Sequence, residues 1–221
     1  MKRSEVNGYI RWAIEFLDRY GFRLPGFAYW TTRDWNENFH ESENIRKLSL
    51  GWDITDYGLD RFEEVGGVLF TMRNGHPTNN EIGTPYAEKI IILKEGQRIP
   101  LHMHKQKTED IINRFGGTFS IKLYQSTCEG KVDTKNDVIF ESDGILKRVH
   151  AGAVVEVMNG NSITLKPGIY HEFWANEAPV IIGEVSSIND DDLDNYFVDE
   201  VSRFSKIEED EDPIYPLCNE H

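Results

Sequence analysis

Cysteine is scarce in this chain. Cys128 and Cys218 are the only two, far apart and outside any CxxC pattern. They provide no disulfide framework, so a reducing compartment is expected. Basic side chains are also in deficit, with 24 Lys and Arg against 38 Asp and Glu and a net charge of −14. That balance argues against nucleic acid or an anionic membrane as partner, since both are held by basic patches. It suits a neutral or cationic small molecule. No apolar run approaches the ~20 residues that a membrane span needs. The opening stretch "MKRSEVNGYIRWAIEFLDRYG" contains no apolar core of a secretion signal, and the expected location is the cytoplasm. Repeats of fixed period and low-complexity segments are absent. So are a glycine-rich loop before a helix and a tight arginine cluster, so nothing resembles a phosphate cradle.

What is present is enough apolar material for a substantial core, 39% of residues with 12% aromatic, in one domain spanning 1–221. Val6, Ile10, Ala13, Ile14 and Leu17 fall on one face of a predicted helix, with Ser4 as its N-cap and Gly21 at its C-terminus. Such a helix packs against a sheet more often than it carries chemistry. Pro25-Gly26 marks a turn in an aromatic loop, and "NENFHESENIRKLSLGW" reads as polar and partly helical. The N-terminal helical segment thus covers about 4–65. From about 66 to 188, short apolar or alternating runs are separated by turn pairs: Asn74-Gly75, Asp143-Gly144, Asn159-Gly160 and Pro167-Gly168. This pattern predicts a mainly β, antiparallel sandwich or barrel. An acidic tail, about 189–221, follows it.

One segment stands out, "RIPLHMHKQKTEDIINRFGG" at 98–117. In a strand His102 and His104 share a face, leaving Ile99, Leu101 and Met103 to the apolar one. Glu109 arrives after the turn "KQKT". His171, following Pro167-Gly168, could face the pair across a closed barrel. Three imidazoles and a carboxylate, with room for water, suit Mn²⁺, Fe²⁺, Co²⁺, Ni²⁺ or Zn²⁺. The pair His102-x-His104 alone is equally an ordinary hydrogen-bonded pair. His40, His76, His150 and His221 lack comparable context and are read as surface or structural residues.

The spacing adds to this. Gly96, His102-x-His104, Glu109 and Gly116 resemble the first cupin motif position by position, and Pro167-Gly168-x-x-His171 resembles the second. The second departs from the usual pattern in two places: proline abuts glycine, and Asn176 falls one position late. The resemblance implies a cupin-type antiparallel β-barrel (double-stranded β-helix, or jelly roll) with peripheral helical and loop segments.

A fuller resemblance runs from about residue 25 to 218. "FAYWT", "LGWDITDYGL", "VLFTMRNG", "EKIIILKEGQRIPLHMHKQKTEDIINR", "PGIYHEFWA", "GEVSSINDDDLDNYF" and "RFSKIEEDE" look like the D-lyxose isomerase family. That implies a Mn²⁺-dependent enzyme interconverting D-lyxose with D-xylulose and D-mannose with D-fructose. By position the ligands would be His102, His104, Glu109 and His171. Cupins are frequently dimers, so the resemblance also implies a homodimer.

Aldose–ketose isomerisation moves a proton between C1 and C2 through a cis-enediol, and needs a base and a donor near the reacting oxygens. Lys107, between His104 and Glu109, is the expected donor, against the bland reading of a solvated turn lysine. Glu184 interrupts the apolar "IIGEVSS", where an unpaired buried charge is costly, and is the expected base. Glu109 is an alternative proton carrier. Lys89, Asp191 and Arg203 are expected around the substrate. Trp30 and Trp174 are expected beneath a sugar's C–H face, although core or rim packing accounts for both. The missing phosphate cradle favours a free monosaccharide. The competing readings are a cupin phosphosugar isomerase, an Fe²⁺-dependent dioxygenase and a metal- or sugar-binding cupin without turnover.

Overall fold

A computed structural model describes residues 1–191 and 193–221. Helix α1 (Arg3–Arg19) lies across a sheet, followed by a 3₁₀ turn (Gly26–Tyr29) and short helices α2 (Thr32–Glu37) and α3 (Glu43–Lys47). The strands are β1 (Gly51–Thr55), β2 (Gly67–His76), β3 (Asn79–Leu93), β4 (Arg98–Met103), β5 (Glu109–Gly116), β6 (Phe119–Ser126), β7 (Val132–Asp133), β8 (Val138–Ser142), β9 (Ile145–Val149), β10 (Val154–Val157), β11 (Ser162–Leu165), β12 (Ile169–Ala175), β13 (Val180–Ser186) and β14 (Tyr196–Phe197). An eight-stranded sheet runs β1-β2-β3-β13-β5-β11-β8-β9, and a six-stranded sheet runs β10-β6-β12-β4-β14, with β7 on β6. Every pairing between strands is antiparallel. The two curled sheets enclose the main core, as the cupin-type expectation requires. Strands also extend beyond the expected 66–188 at both ends, through β1 and β14. Among the described residues no helix is long and apolar enough to cross a membrane.

Strands β2, β3 and β13 are buried on both faces, which is why "GVLF", "IIIL" and "VIIG" read as continuous apolar runs instead of alternating ones. Leu69, Ile91, Leu93, Val180 and Ile182 point between the sheets. Val68, Phe70, Ile90, Ile92 and Ile181 point the other way, onto Val6, Ile10, Ala13 and Leu17 of α1. Each fully buried aliphatic side chain contributes roughly 1.5–3 kcal/mol relative to its exposed state.

The C-terminus of α1 ends as its glycine predicts. Gly21 has φ +67° and donates to Asp18, while Phe22 donates to Leu17, which closes a Schellman motif. The N-terminus differs from expectation. Ser4 lies inside the first turn instead of capping it. Its N–H and hydroxyl both donate to Asp210, at 2.9 and 2.7 Å, so the distant tail satisfies one of the free N–H groups of the first turn.

Two turn pairs behave differently. Asp143-Gly144, with φ of 51° and 76°, forms the β8–β9 hairpin as expected. Asn74-Gly75 makes no turn and lies inside β2. A Cβ on Gly75 would meet the Thr84 carbonyl at 2.1 Å, so glycine serves close strand approach there. Asn74 accepts from Asn189 N–H and donates to its carbonyl, both at 3.0 Å.

Candidate active site

Inward-facing positions change character along neighbouring strands. On β3 the row runs Leu93, Ile91, Lys89; on β13 it runs Val180, Ile182, Glu184; β5 offers Ile111 and then Glu109. Lys89 is the register partner of Glu184, and Glu184 is that of Ile111. One end of the barrel is therefore filled with apolar side chains, and the other gathers ionisable ones around a cavity.

His102 and His171 face each other as register partners on β4 and β12. The next pair is Phe173 with Ile99, so three steps on β4 match two on β12 and β4 bulges. Pro100, which has no N–H for the ladder, lies in this bulge. The extra residue changes the expected alternation: Ile99 lines the cavity beside His102, while Leu101 lines a groove on the outer surface.

The three imidazoles are held alike. The Nδ1 atoms of His102, His104 and His171 lie 2.7, 2.6 and 3.2 Å from the carbonyls of Pro100, Asp194 and Ile169. A carbonyl can only accept, so Nδ1 carries the proton and Nε2 keeps its lone pair. Ligating atoms of the three rings all lie within 4.8 Å of one another. Glu109 Oε1 is 3.0 Å from His171 Nε2 and 3.6 Å from His104 Nε2. His104 Nε2, His171 Nε2 and Glu109 Oε1 are buried with no hydrogen-bond partner. Orphaned polar atoms converging at one point are costly unless something joins them, and neutral imidazoles with a carboxylate fit a divalent transition metal. Burial and the neighbouring histidines push His102 well below the ordinary histidine range. Burial pulls His104 down to about 4. Both rings are thus in the ligand form at neutral pH.

Lys107 is buried beside them. Its ammonium lies 2.8 Å from Glu109 Oε2, 2.9 Å from Glu184 Oε1 and 3.3 Å from Asn189 Oδ1, an acceptor for each proton. Burial works to lower its pKa, but the two carboxylates outweigh that and raise it above the ordinary lysine value. Burial works to raise Glu109, and Lys107 with the histidines holds it well below the carboxylate range. Lys107 is therefore a fixed cation at any working pH.

At the cavity mouth Arg203 Nη2 donates to Asp53 at 2.5 Å and to Asp191 at 3.1 Å, and Lys89 approaches Asp191 at 3.4 Å. Burial would raise Asp191, but Arg203 and Lys89 hold it well below the carboxylate range. Arg203 Nη1 is buried without a partner and available to a ligand oxygen. Lys89, Lys107 and Arg203 face Asp53, Glu109, Glu184 and Asp191, leaving one carboxylate in excess for a cation.

Nine of the eleven expected site residues line this cavity: His102, His104, Glu109, His171, Lys107, Glu184, Lys89, Asp191 and Arg203. The two tryptophans do not. Trp174 follows Phe173, which does line it, so strand alternation turns the indole to the outer face. Trp30 packs edge-on against Trp35, ring centroids 5.0 Å apart, away from the barrel interior. Tyr57, Phe173, Asn195 and Phe197 also line the cavity and were not expected there, as do four aliphatic side chains of its floor. Burial raises the Tyr57 phenol above its ordinary value and keeps it a donor. Asn189 and Asp194 also escaped prediction, because both act through an acidic tail whose path the sequence does not encode locally.

Comparison with known proteins decides the family. The family model described as D-lyxose isomerase matches residues 1–221. The chain belongs to the D-lyxose isomerase family. A D-lyxose/D-mannose isomerase of Serratia proteamaculans is 41% identical over 225 residues, covering 100% of this chain and 98% of that protein. Another, from Escherichia coli O157:H7, is 38% identical over 224 residues with the same coverage. As a member of this family the chain is a sugar isomerase. The L-ribose isomerase of Acinetobacter sp. DL28, solved with L-ribose, shares the fold with TM-score 0.61 at 14% identity, covering 94% of this chain and 98% of that one. The unliganded Cellulomonas parahominis L-ribose isomerase gives 0.59, also at 14%, covering 93% and 98%. The D-lyxose isomerase family chain thus adopts the barrel seen in those sugar isomerases.

Proposed function

We propose that this chain interconverts D-lyxose with D-xylulose, and D-mannose with D-fructose, through a cis-enediol and with a divalent cation, Mn²⁺ in the first instance. His102, His104, Glu109 and His171 would hold the ion. The observation that carries this reading is the convergence of orphaned Nε2 and Oε1 atoms beside a lysine fixed between two carboxylates. The sugars follow from the curated relatives, which are named for D-lyxose and D-mannose. A bound divalent cation would polarise the sugar carbonyl and stabilise negative charge on its two adjacent oxygens.

The protein's own groups divide the remaining work. Glu184 gives one oxygen to Lys107 and, among the described residues, has no partner for the other. That oxygen is the base: it takes the proton from C2 of the aldose and returns it to C1. The hydroxyl proton on O2 passes to O1, so the net change is one proton from carbon to carbon and one from oxygen to oxygen. Lys107, permanently charged, releases its longest contact, to Asn189, and donates to the oxygen where charge develops. Arg203 Nη1 and Tyr57 bind hydroxyls farther along the sugar. Arg203 and Lys89 are already neutralised by Asp53 and Asp191, which favours a free sugar over a phosphorylated one. A homodimer in the cytoplasm completes the reading.

The test is conversion of D-lyxose by the Mn²⁺-loaded protein in D₂O. D-xylulose is expected, with deuterium at C1 to the extent that the Glu184 carboxyl exchanges with solvent before it returns the proton; any such label excludes a direct hydride shift. No ketose from either aldose would contradict the reaction.

A further inference from the structure

Asp194 is buried, 6% exposed, and acts on the ligand-bearing turn in two ways. Its Oδ1 accepts the Lys105 N–H at 2.8 Å and the Gln106 N–H at 3.1 Å, and its Oδ2 accepts the Lys107 N–H at 2.9 Å. Three successive amides aimed at one carboxylate form an anion-binding nest. Its carbonyl, meanwhile, takes the Nδ1 proton of His104 at 2.6 Å. The geometry points to Asp194 as a positioning residue that sets both the His104 tautomer and the placement of Lys107. This rests on reading His102, His104, Glu109 and His171 as metal ligands.

The nest fixes the turn because the amides of 105–107 have no backbone partner among the described residues. With the carboxylate in place, the chain leaves β4 at His104 and returns at Glu109 on a single path. That path brings the Lys107 ammonium to 2.8 Å from Glu109 and 2.9 Å from Glu184. Without it, the turn has three unpaired donors and Asp194 has no hold on the turn. The carbonyl that orients His104 then shifts with the tail. One substitution therefore loosens a ligand and a catalytic lysine together, although Asp194 touches neither metal nor sugar.

The experiment measures the Mn²⁺ dissociation constant of the full-length protein by chelator competition, without sugar, and kcat at saturating Mn²⁺. Asp194→Ala is expected to weaken Mn²⁺ binding by about 10- to 100-fold, the usual effect of losing a partner that orients a ligand. Its kcat should fall even when metal saturates, with KM changed less. Asp194→Asn keeps one acceptor oxygen and should fall between Ala and wild type. Asp210→Ala, which unties α1 from the tail, is the control: it should lower thermal stability and leave the Mn²⁺ constant unchanged. Wild-type Mn²⁺ affinity in folded Asp194→Asn and Asp194→Ala overturns the assignment. If the alanine variant does not fold, wild-type affinity in the asparagine variant alone overturns it. A wild-type protein that does not bind Mn²⁺ removes its basis. Tight Mn²⁺ binding without isomerisation contradicts the sugar reading instead and leaves Asp194's role intact.

Discussion

Lys107 Nζ lies 2.9 Å from Glu184 Oε1, deep in the barrel, and the pair is one half of a bridge completed by Glu109 at 2.8 Å. The lysine gives Glu184, the proposed base, and Glu109, the proposed ligand carboxylate, a shared positive charge. Replacing it by methionine keeps the volume and leaves two buried carboxylates without their cation. Lys107→Met should lower kcat by about 10²–10³-fold, the scale of losing one preorganised donor. Steady-state kinetics at saturating Mn²⁺ check this, and activity within threefold of wild type would contradict it.

In the proposed mechanism Glu184 serves the chemistry and His171 the metal, so substituting each separates the two. Glu184→Gln should keep bound Mn²⁺ and lose about 10²–10⁴ in kcat, because a general base has been removed. His171→Ala should lose metal and turnover together. Metal content by elemental analysis, measured beside kcat, distinguishes the two. Metal-dependent activity retained in His171→Ala would contradict its place among the ligands.

The buried histidines make the metal-free protein sensitive to acid. His104 titrates at about 4 when folded and near 6.5 when exposed, so the unfolded chain binds the extra proton first. Its contribution to stability is present above about 6.5 and is lost as pH falls toward 4, and His102 acts in the same direction. The melting temperature of EDTA-treated protein should therefore drop between pH 6.5 and 4.5. A flat profile across that window would contradict these environments.

Trp30 and Trp174 lie outside the cavity. Replacing either by alanine should leave KM for D-lyxose within about twofold, whatever the cost in stability. A tenfold rise in KM for Trp174→Ala would place that ring at the sugar instead.

These residues also mark where the sequence was legible. Strand alternation placed His102 and His104 together, and an isolated carboxylate in "IIGEVSS" identified Glu184, because period and burial cost are local properties. Simple alternation puts Ile99 on the wrong face because it does not count the residue added by the bulge at Pro100. Asn74-Gly75 has the composition of a turn, but tertiary crowding by Thr84 uses its glycine differently. Ser4 has the composition of a cap, but Asp210 meets it from 206 positions away. Asn189 and Asp194 lie in an acidic run that reads as solvated surface. Only the folded path of the tail brings them to Lys107 and His104.

The most direct test of the account is D-xylulose formation from D-lyxose by purified protein, before EDTA treatment, after it, and after Mn²⁺ is restored. Activity, its loss and its recovery are expected in that order. Undiminished conversion by protein shown to hold no metal, or no ketose in any of the three states, would contradict it.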